Sequence, residues 1–208
     1  MITIIDYGLG NLGSVKNTLD KLGIDSIISN SKKEIEKSSG LILPGVGSAN
    51  QGMKNLIKNK LDKIIVEEIR KGKPFLGICL GMQLLFSSSN EGNVKCLDVI
   101  KGKVKKFTAD LKVPQIGWNQ VETQNSKYKT LFNKIQNKSY FYFVHSYYCQ
   151  PDDPSIISGV TDYGVDFCSA IEKDNVFGVQ FHPEKSGENG LRLLKNFAEI
   201  AYANNSSN

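Results

Sequence analysis

In the first half of the chain, apolar positions alternate between the period of a strand and that of a helix. Residues 2–5 form a short apolar run ended by Asp6. Val15, Leu19 and Leu22 then recur at helical spacing, and Gly23 stops that helix. Residues 25–29 and 40–43 read as the second and third strands, the latter closed by Pro44-Gly45-Val46-Gly47. Met53, Leu56, Ile57, Leu61, Ile64, Ile65 and Ile69 define one long amphipathic helix ended by Gly72. Phe75, Leu76 and Ile78 make a strand apolar on both sides, as expected of a parallel sheet covered on both faces. This order predicts an α/β fold: a flavodoxin-like, doubly wound sheet with flanking helices.

The second half changes character. Residues 99–107, 115–122, 140–149, 156–161, 165–172 and 176–181 all read as strands, so the sheet is expected to be mixed. Asp174-Asn175 suits a hairpin turn between the last two. A final helix is expected over 188–203, with Leu191, Leu194, Phe197 and Ile200 or Ala201 on one face. Residues 204–208 read as a frayed tail. There is no internal repeat or linker, so residues 1–203 are expected to be a single domain.

Composition narrows the chemistry. At 208 residues the chain can bury a full core without disulfides or a structural metal. It has only two histidines, His145 and His182, and four cysteines, Cys79, Cys96, Cys149 and Cys168, with no CxxC pair. A zinc finger or a His-rich metal centre is excluded on that count, and no metal or organic cofactor is expected. The net charge is +5, but all basic residues except Arg70 and Arg192 are lysines scattered among Asn, Ser and Glu. That reads as a solvated surface rather than a nucleic-acid face, which leans on arginine. Lys101, Lys103, Lys105 and Lys106 follow strand alternation and suit one wet face. No apolar run approaches the roughly 20 residues of a membrane span. The strand at residue 2 is read as leaving no room for a signal peptide, and the unpaired cysteines point to a reducing cytoplasm.

Two glycine patterns compete for attention. Gly8, Gly10 and Gly13 match G-x-G-x-x-G between a strand and a helix, the setting of a dinucleotide fingerprint. The acidic residue needed at the end of the second strand is missing: the strand ends at Ser29-Asn30 and Glu34 lies beyond it. The other reading is a tight turn whose glycines admit another backbone or a ligand. Gly77-Ile78-Cys79-Leu80-Gly81 carries more weight. A buried strand leads in, and Met82, Leu84, Leu85 and Phe86 are expected to lead out as a helix. This is the cysteine form of a nucleophile elbow. It presents Cys79 at a helix N-terminus, whose dipole lowers a thiol pKa, and aims the Leu80 N–H where an oxyanion would form. A redox reading lacks a resolving cysteine nearby in sequence.

A thiol nucleophile needs a base, and only two imidazoles exist. His182 is followed by Pro183 and Glu184. In an extended segment residues i and i+2 share a side, so Glu184 can orient the ring. That selects His182 over His145.

Four segments together resemble the class I (triad) glutamine amidotransferases: Leu43-Pro44-Gly45-Val46-Gly47, the elbow running on to Phe86, residues 140–147, and residues 178–186. The opening Asp6-Tyr7-Gly8-Leu9-Gly10-Asn11-Leu12 and Gly117-Trp118-Asn119 are similar to the glutaminase subunits of imidazole glycerol phosphate synthases. The resemblance implies a Cys79, His182, Glu184 triad that hydrolyses L-glutamine through a thioester. It implies an oxyanion hole from Leu80 and the Val46–Gly47 backbone, and glutamine contacts from Gln83, Glu91, Ser146 and Tyr147. It further implies a heterodimer with a (βα)₈-barrel cyclase that takes the ammonia, with Asn11, Trp118, Tyr142 and Lys185 at or near the interface. Two segments depart from the family pattern. Gln115 stands where a histidine is common, and residues 96–102 replace a more glycine-rich stretch. These departures keep a second reading open, in which the ammonia goes to a sugar amidotransferase in surface-glycan synthesis.

Overall fold

The computed structural model describes residues 1–108, 112–124 and 131–205. Five parallel strands form its centre, in the order β2 (Ser26–Ser29), β1 (Ile2–Ile5), β3 (Gly40–Gly45), β4 (Phe75–Cys79) and β13 (Val176–Val179). The sheet continues through antiparallel β12 (Asp166–Lys173), β10 (Tyr147–Pro151) and β7 (Ile100–Lys106), then β5 (Phe86–Ser89) and β6 (Val94–Lys95). From β12 a branch runs through β11 (Ile157–Asp162) and β8 (Gln115–Thr123) to β9 (Ser139–His145).

Alternation along the central strands sends successive side chains into two separate cores. Ile2, Ile4, Ile42, Leu76 and Ile78 pack with α1 (Leu12–Lys21) and α6 (Gly187–Asn205). Ile5, Leu41, Leu43 and Phe75 pack with α2 (Lys32–Lys37), α3 (Ala49–Lys58) and α4 (Leu61–Arg70). Both faces are thus covered, and the predicted mixed, doubly wound sheet is the observed one. Among the described residues, no helix is long and apolar enough to cross a membrane.

Several boundaries differ from the pattern-based expectation. The single helix expected across Met53 to Ile69 is two, α3 and α4, separated where Lys60 takes φ 59° in the left-handed region. The helix expected through Phe86 stops after one turn, as α5 (Leu80–Gln83), and Phe86 opens β5 beside Ile100. Met82, Leu84, Leu85 and Phe86 are all fully buried, so their hydrophobicity carried no period that could tell helix from strand. The strand expected over 140–149 breaks at Ser146, where the chain leaves its pairing with β8 and joins β7 and β12. The short elements α2, β5 and β6 had no signal. Helix α6 extends through Asn205, so the expected tail begins inside a helix, and residues 206–208 lie outside the described residues.

The chain ends of β1, β3, β4 and β13 converge at the carboxyl edge of the parallel strands, where open α/β sheets place their ligands. Three glycine-containing turns meet there.

Candidate active site

Cys79 sits at the end of β4 with φ 53° and ψ −110°, a conformation that costs a non-glycine residue about 1–3 kcal/mol. The two elbow glycines make the turn possible by close approach. A Cβ on Gly77 would lie 2.7 Å from the Gly81 carbonyl, and one on Gly81 would overlap the Leu43 carbonyl oxygen of β3. Gly10 has the same kind of role: its φ is 106°, and a Cβ there would stand 2.9 Å from the Pro44 oxygen. At Gly13, the third glycine of the apparent fingerprint, such a Cβ would meet nothing within 4 Å among the described residues beyond its chain neighbours and its own helix. A dinucleotide fold needs that third glycine for tight helix–strand packing. The loop is therefore a turn packed on the β3 end, as the second sequence reading held.

His182 follows β13 and is placed by backbone bonds to β9. Its N–H donates to the Tyr142 carbonyl at 2.9 Å, and the Tyr142 N–H donates to Ser186 Oγ at 3.0 Å. Ser186 Oγ in turn donates to the His182 carbonyl at 2.6 Å. The His182 Nδ1 is 2.9 Å from Glu184 Oε1, with both side chains almost fully buried. This pair is made differently from the sequence expectation. Residues 183–185 form a 3₁₀ turn opened by Pro183, so Glu184 reaches back from a turn and not along a strand. Burial of the ring disfavours its charge, but hydrogen bonds to Cys79 and Glu184 outweigh that and push the imidazolium up to about 10.

His145 has the opposite setting. Burial lowers its pKa to about 4, so the ring is neutral. Its Nδ1–H donates to the Tyr147 carbonyl at 2.8 Å. Its Nε2 is then an acceptor, and Gln115 Oε1 stands 2.8 Å from it; two acceptors cannot bond, so we assign the Gln115 amide the other way round, with its nitrogen on that contact. Gln115 is itself buried and pairs with His145 in the β8–β9 register. The glutamine at this departure from the family pattern thus serves as the polar partner of a structural histidine.

A cavity of about 250 Å³ opens over the sulfur. It is lined by Val46, Gly47, Cys79, Leu80, Gln83, Glu91, Ser146, Tyr147 and His182, together with Pro114, Val144, His145 and Lys185. All the residues expected to catalyse, hold an oxyanion or contact glutamine are brought together. Leu80 opens α5, so its N–H has no intrahelical partner. Glu91 lines the cavity while its Oε2 accepts from Ala49 N–H at 2.7 Å, tying α3 to this wall. The expected dipole of a helix behind Cys79 is reduced to that of a single turn.

Outside the cavity, Trp118 is 55% exposed and meets Tyr142 edge-on at 6.0 Å. Lys185 Nζ lies 5.9 Å from the Tyr142 ring centre. Asn11 is the N-cap of α1, its side chain accepting from Ser14 N–H at 3.3 Å. Sequence reasoning gave no role to Gln180, Ser186 or Tyr7. Gln180 and Ser186 were visible only as polar residues in otherwise apolar or turn-forming stretches. Tyr7 is fully buried, and its hydroxyl crowds the site a Gly45 Cβ would occupy.

The model of the class-I glutamine amidotransferase family matches residues 3–201. The chain belongs to the class I glutamine amidotransferases. It is 50% identical over 203 residues to the imidazole glycerol phosphate synthase subunit HisH of Chlorobaculum tepidum, covering 96% of this chain and 100% of the relative. The subunit HisH of Moorella thermoacetica is 48% identical over 200 residues, covering 96% and 94%. Among solved structures, a glutamine amidotransferase superposes with a TM-score of 0.76 at 18% identity, covering 97% of this chain and 100% of that one. PurLQS from Thermotoga maritima does so with 0.73 at 18% identity, covering 96% and 97%. At that identity these two speak for the amidotransferase fold alone.

Proposed function

We propose that this chain is the glutaminase subunit of an imidazole glycerol phosphate synthase, acting in histidine biosynthesis. The observation that carries the chemistry is a cysteine on a strained elbow that shares its cavity with an imidazole backed by a buried carboxylate at 2.9 Å. The pathway is supported by about 50% identity to HisH subunits over nearly the whole chain.

In this reading the Cys79 sulfur attacks the side-chain carboxamide carbon of L-glutamine. The carbonyl oxygen gains the charge and is met by N–H groups of Leu80 and the Val46–Gly47 segment. As the C–N bond breaks, protonated His182 gives its proton to the leaving ammonia. Neutral His182 then takes a proton from water, which attacks the thioester carbon, and glutamate leaves with the thiol restored. Glu184 holds the ring and offsets its charge. Gln83, Glu91, Ser146 and Tyr147 hold the glutamine in the cavity.

Ammonia released into neutral water would take up a proton and lose its nucleophilic lone pair. A dry transfer to a (βα)₈-barrel cyclase avoids this. The exposed Trp118 and half-buried Tyr142 beside the cavity, with Lys185 at its rim and Asn11 at the neighbouring loop, suit that docking face. Gly47 has φ 94° and open space around it, which suits a peptide reorientation that turns on the oxyanion hole when the partner is loaded.

The test mixes the protein with glutamine and a (βα)₈ cyclase, with and without the cyclase's nucleotide substrate, and measures glutamate. Strong stimulation by the loaded cyclase is expected. Stimulation only by a sugar amidotransferase would overturn the pathway, and no glutamate in any mixture would overturn the chemistry. Equal glutaminase activity in the isolated subunit and the loaded complex would refute the gating step.

A further inference from the structure

The Cys79 sulfur has a hydrogen-bond donor that belongs to none of the groups given a role so far. Gln180 is fully buried just after β13, and its Nε2 lies 3.6 Å from Cys79 Sγ. Gln83 Nε2 lies 3.0 Å from the Tyr147 carbonyl and 3.0 Å from Gln180 Oε1.

These contacts fix both amides. A backbone carbonyl only accepts, so the Gln83 nitrogen must face Tyr147. Its second N–H then meets the Gln180 oxygen, which leaves the Gln180 nitrogen facing the sulfur. The chain of bonds therefore has one direction, starting from a backbone atom and ending on the nucleophile.

Electrostatics give that direction a purpose. As a thiol, Cys79 can direct its S–H at the Val144 carbonyl, 3.8 Å away. As a thiolate it loses that bond and faces the same carbonyl dipole unfavourably. The other ionisable groups around it are His182 with Glu184 behind it, Tyr7 from the loop after β1, Cys149 on β10, and His145, Glu91 and Lys185 around the cavity. Of these, His182 is the cation whose charge is coupled to the sulfur. It leaves that role each time it delivers its proton. The Gln180 N–H cannot titrate and stays. Helix α5, at one turn, is too short to provide much of a dipole in its place.

We infer that Gln180 is a positioning residue for the nucleophile: its amide N–H stabilises the Cys79 thiolate and is aimed by the Tyr147–Gln83 relay. The inference rests on Cys79 being the nucleophile of the proposed glutaminase, but its test does not require turnover.

Hydrogen bonds to charged groups are worth enough to change a thiolate population about tenfold or more. The experiment measures iodoacetamide alkylation of Cys79 against pH, read by peptide mass spectrometry, in the full chain and in Gln180→Met, with Cys79→Ala as the blank. Near-ultraviolet circular dichroism checks folding, and Gln180→Leu replaces the Met variant if that one fails to fold. The expected result is a midpoint moved up by about one unit, with alkylation about tenfold slower at pH values well below the midpoint and the high-pH plateau unchanged. An unchanged midpoint, or slowing by the same factor at every pH, would overturn the inference, because a purely structural role predicts one of those. Failure of the glutaminase reading shows separately, as absence of glutamate from the wild-type chain with a loaded partner.

Discussion

The elbow makes a quantitative demand on single methyl groups, and Gly81→Ala tests it. Residue 81 lies in α5, and its backbone needs no unusual φ, so strain in the dihedral is not the issue. The obstacle is the Leu43 carbonyl of β3, which the new Cβ would overlap well inside the 3.0 Å that real Cβ atoms respect. Neither side can yield cheaply. β3 is buried along its whole length between β1 and β4, and the elbow is pinned by its own turn. Overpacking against mobile side chains costs about 1–3 kcal/mol. Here the blocking atom is the backbone of a central strand, so the expected loss is about 4 kcal/mol or more. That corresponds to roughly 10 °C in Tm for a chain of this length. Gly13→Ala is the matched control. It sits in the first turn of α1, and among the described residues nothing outside its own helix and chain neighbours lies within 4 Å of the new Cβ, so its stability should stay level or rise by up to about 1 kcal/mol from helix propensity. Urea unfolding of both variants gives the two numbers, and alkylation of Cys79 reports whether the elbow survives. The reasoning is refuted if Gly81→Ala stays within about 1 kcal/mol of wild type with normal thiol reactivity, or if Gly13→Ala proves the more costly change.

Four further outcomes follow from the same geometry. Glu184→Gln keeps an acceptor for the ring but removes the charge that, with Cys79, holds the imidazolium up to about 10. Glutaminase kcat should fall about a hundredfold or more, with the alkaline limb of the pH profile moved to lower pH. His145 carries the opposite sign. Its unfolded ring binds a proton near 6.5 but the folded one only near 4, so stability falls as pH drops through that window. The loss through this group is about 3 kcal/mol, and urea titrations of wild type and His145→Gln at pH 7 and pH 4 should differ by that amount. Trp118→Ala removes a side chain that is 55% exposed. Its Tm should move by no more than a degree or two while affinity for the cyclase falls at least tenfold in calorimetry. Tyr7→Phe deletes a buried hydroxyl that has no hydrogen-bond partner among the described residues, so stability should stay level or rise by up to about 1 kcal/mol in thermal melts.

What could be read from the linear chain, and what could not, divides by distance along it. The elbow was legible because every group that shapes it lies within five residues: Gly77, Cys79, Leu80 and Gly81 announce the turn by spacing alone. The parallel core was legible for a similar reason, since each β–α unit closes before the next begins. The break at Lys60 was not, because the apolar positions of α3 and α4 stay in phase across it and only the backbone at one polar residue departs. The partners of Cys79 were further out of reach: Gln180 meets it across 101 positions and Val144 across 65. Yet one local signal for Gln180 existed. It is a polar residue closing the apolar run that begins at Val176, and it stands two before His182. The parity rule that residues i and i+2 of an extended chain share a side was applied to His182 and Glu184, where the chain in fact turns. It fails one step earlier as well. Between Gln180 and His182 the chain bends just after β13, and backbone bonds from Gln180 to Ser169 of β12 and from His182 to Tyr142 of β9 fix that bend so that both side chains face the Cys79 cavity. A buried amide two residues before a histidine is thus visible in the sequence, but its aim at the sulfur comes from a bend held by partners 11 and 40 positions away, which no local period encodes.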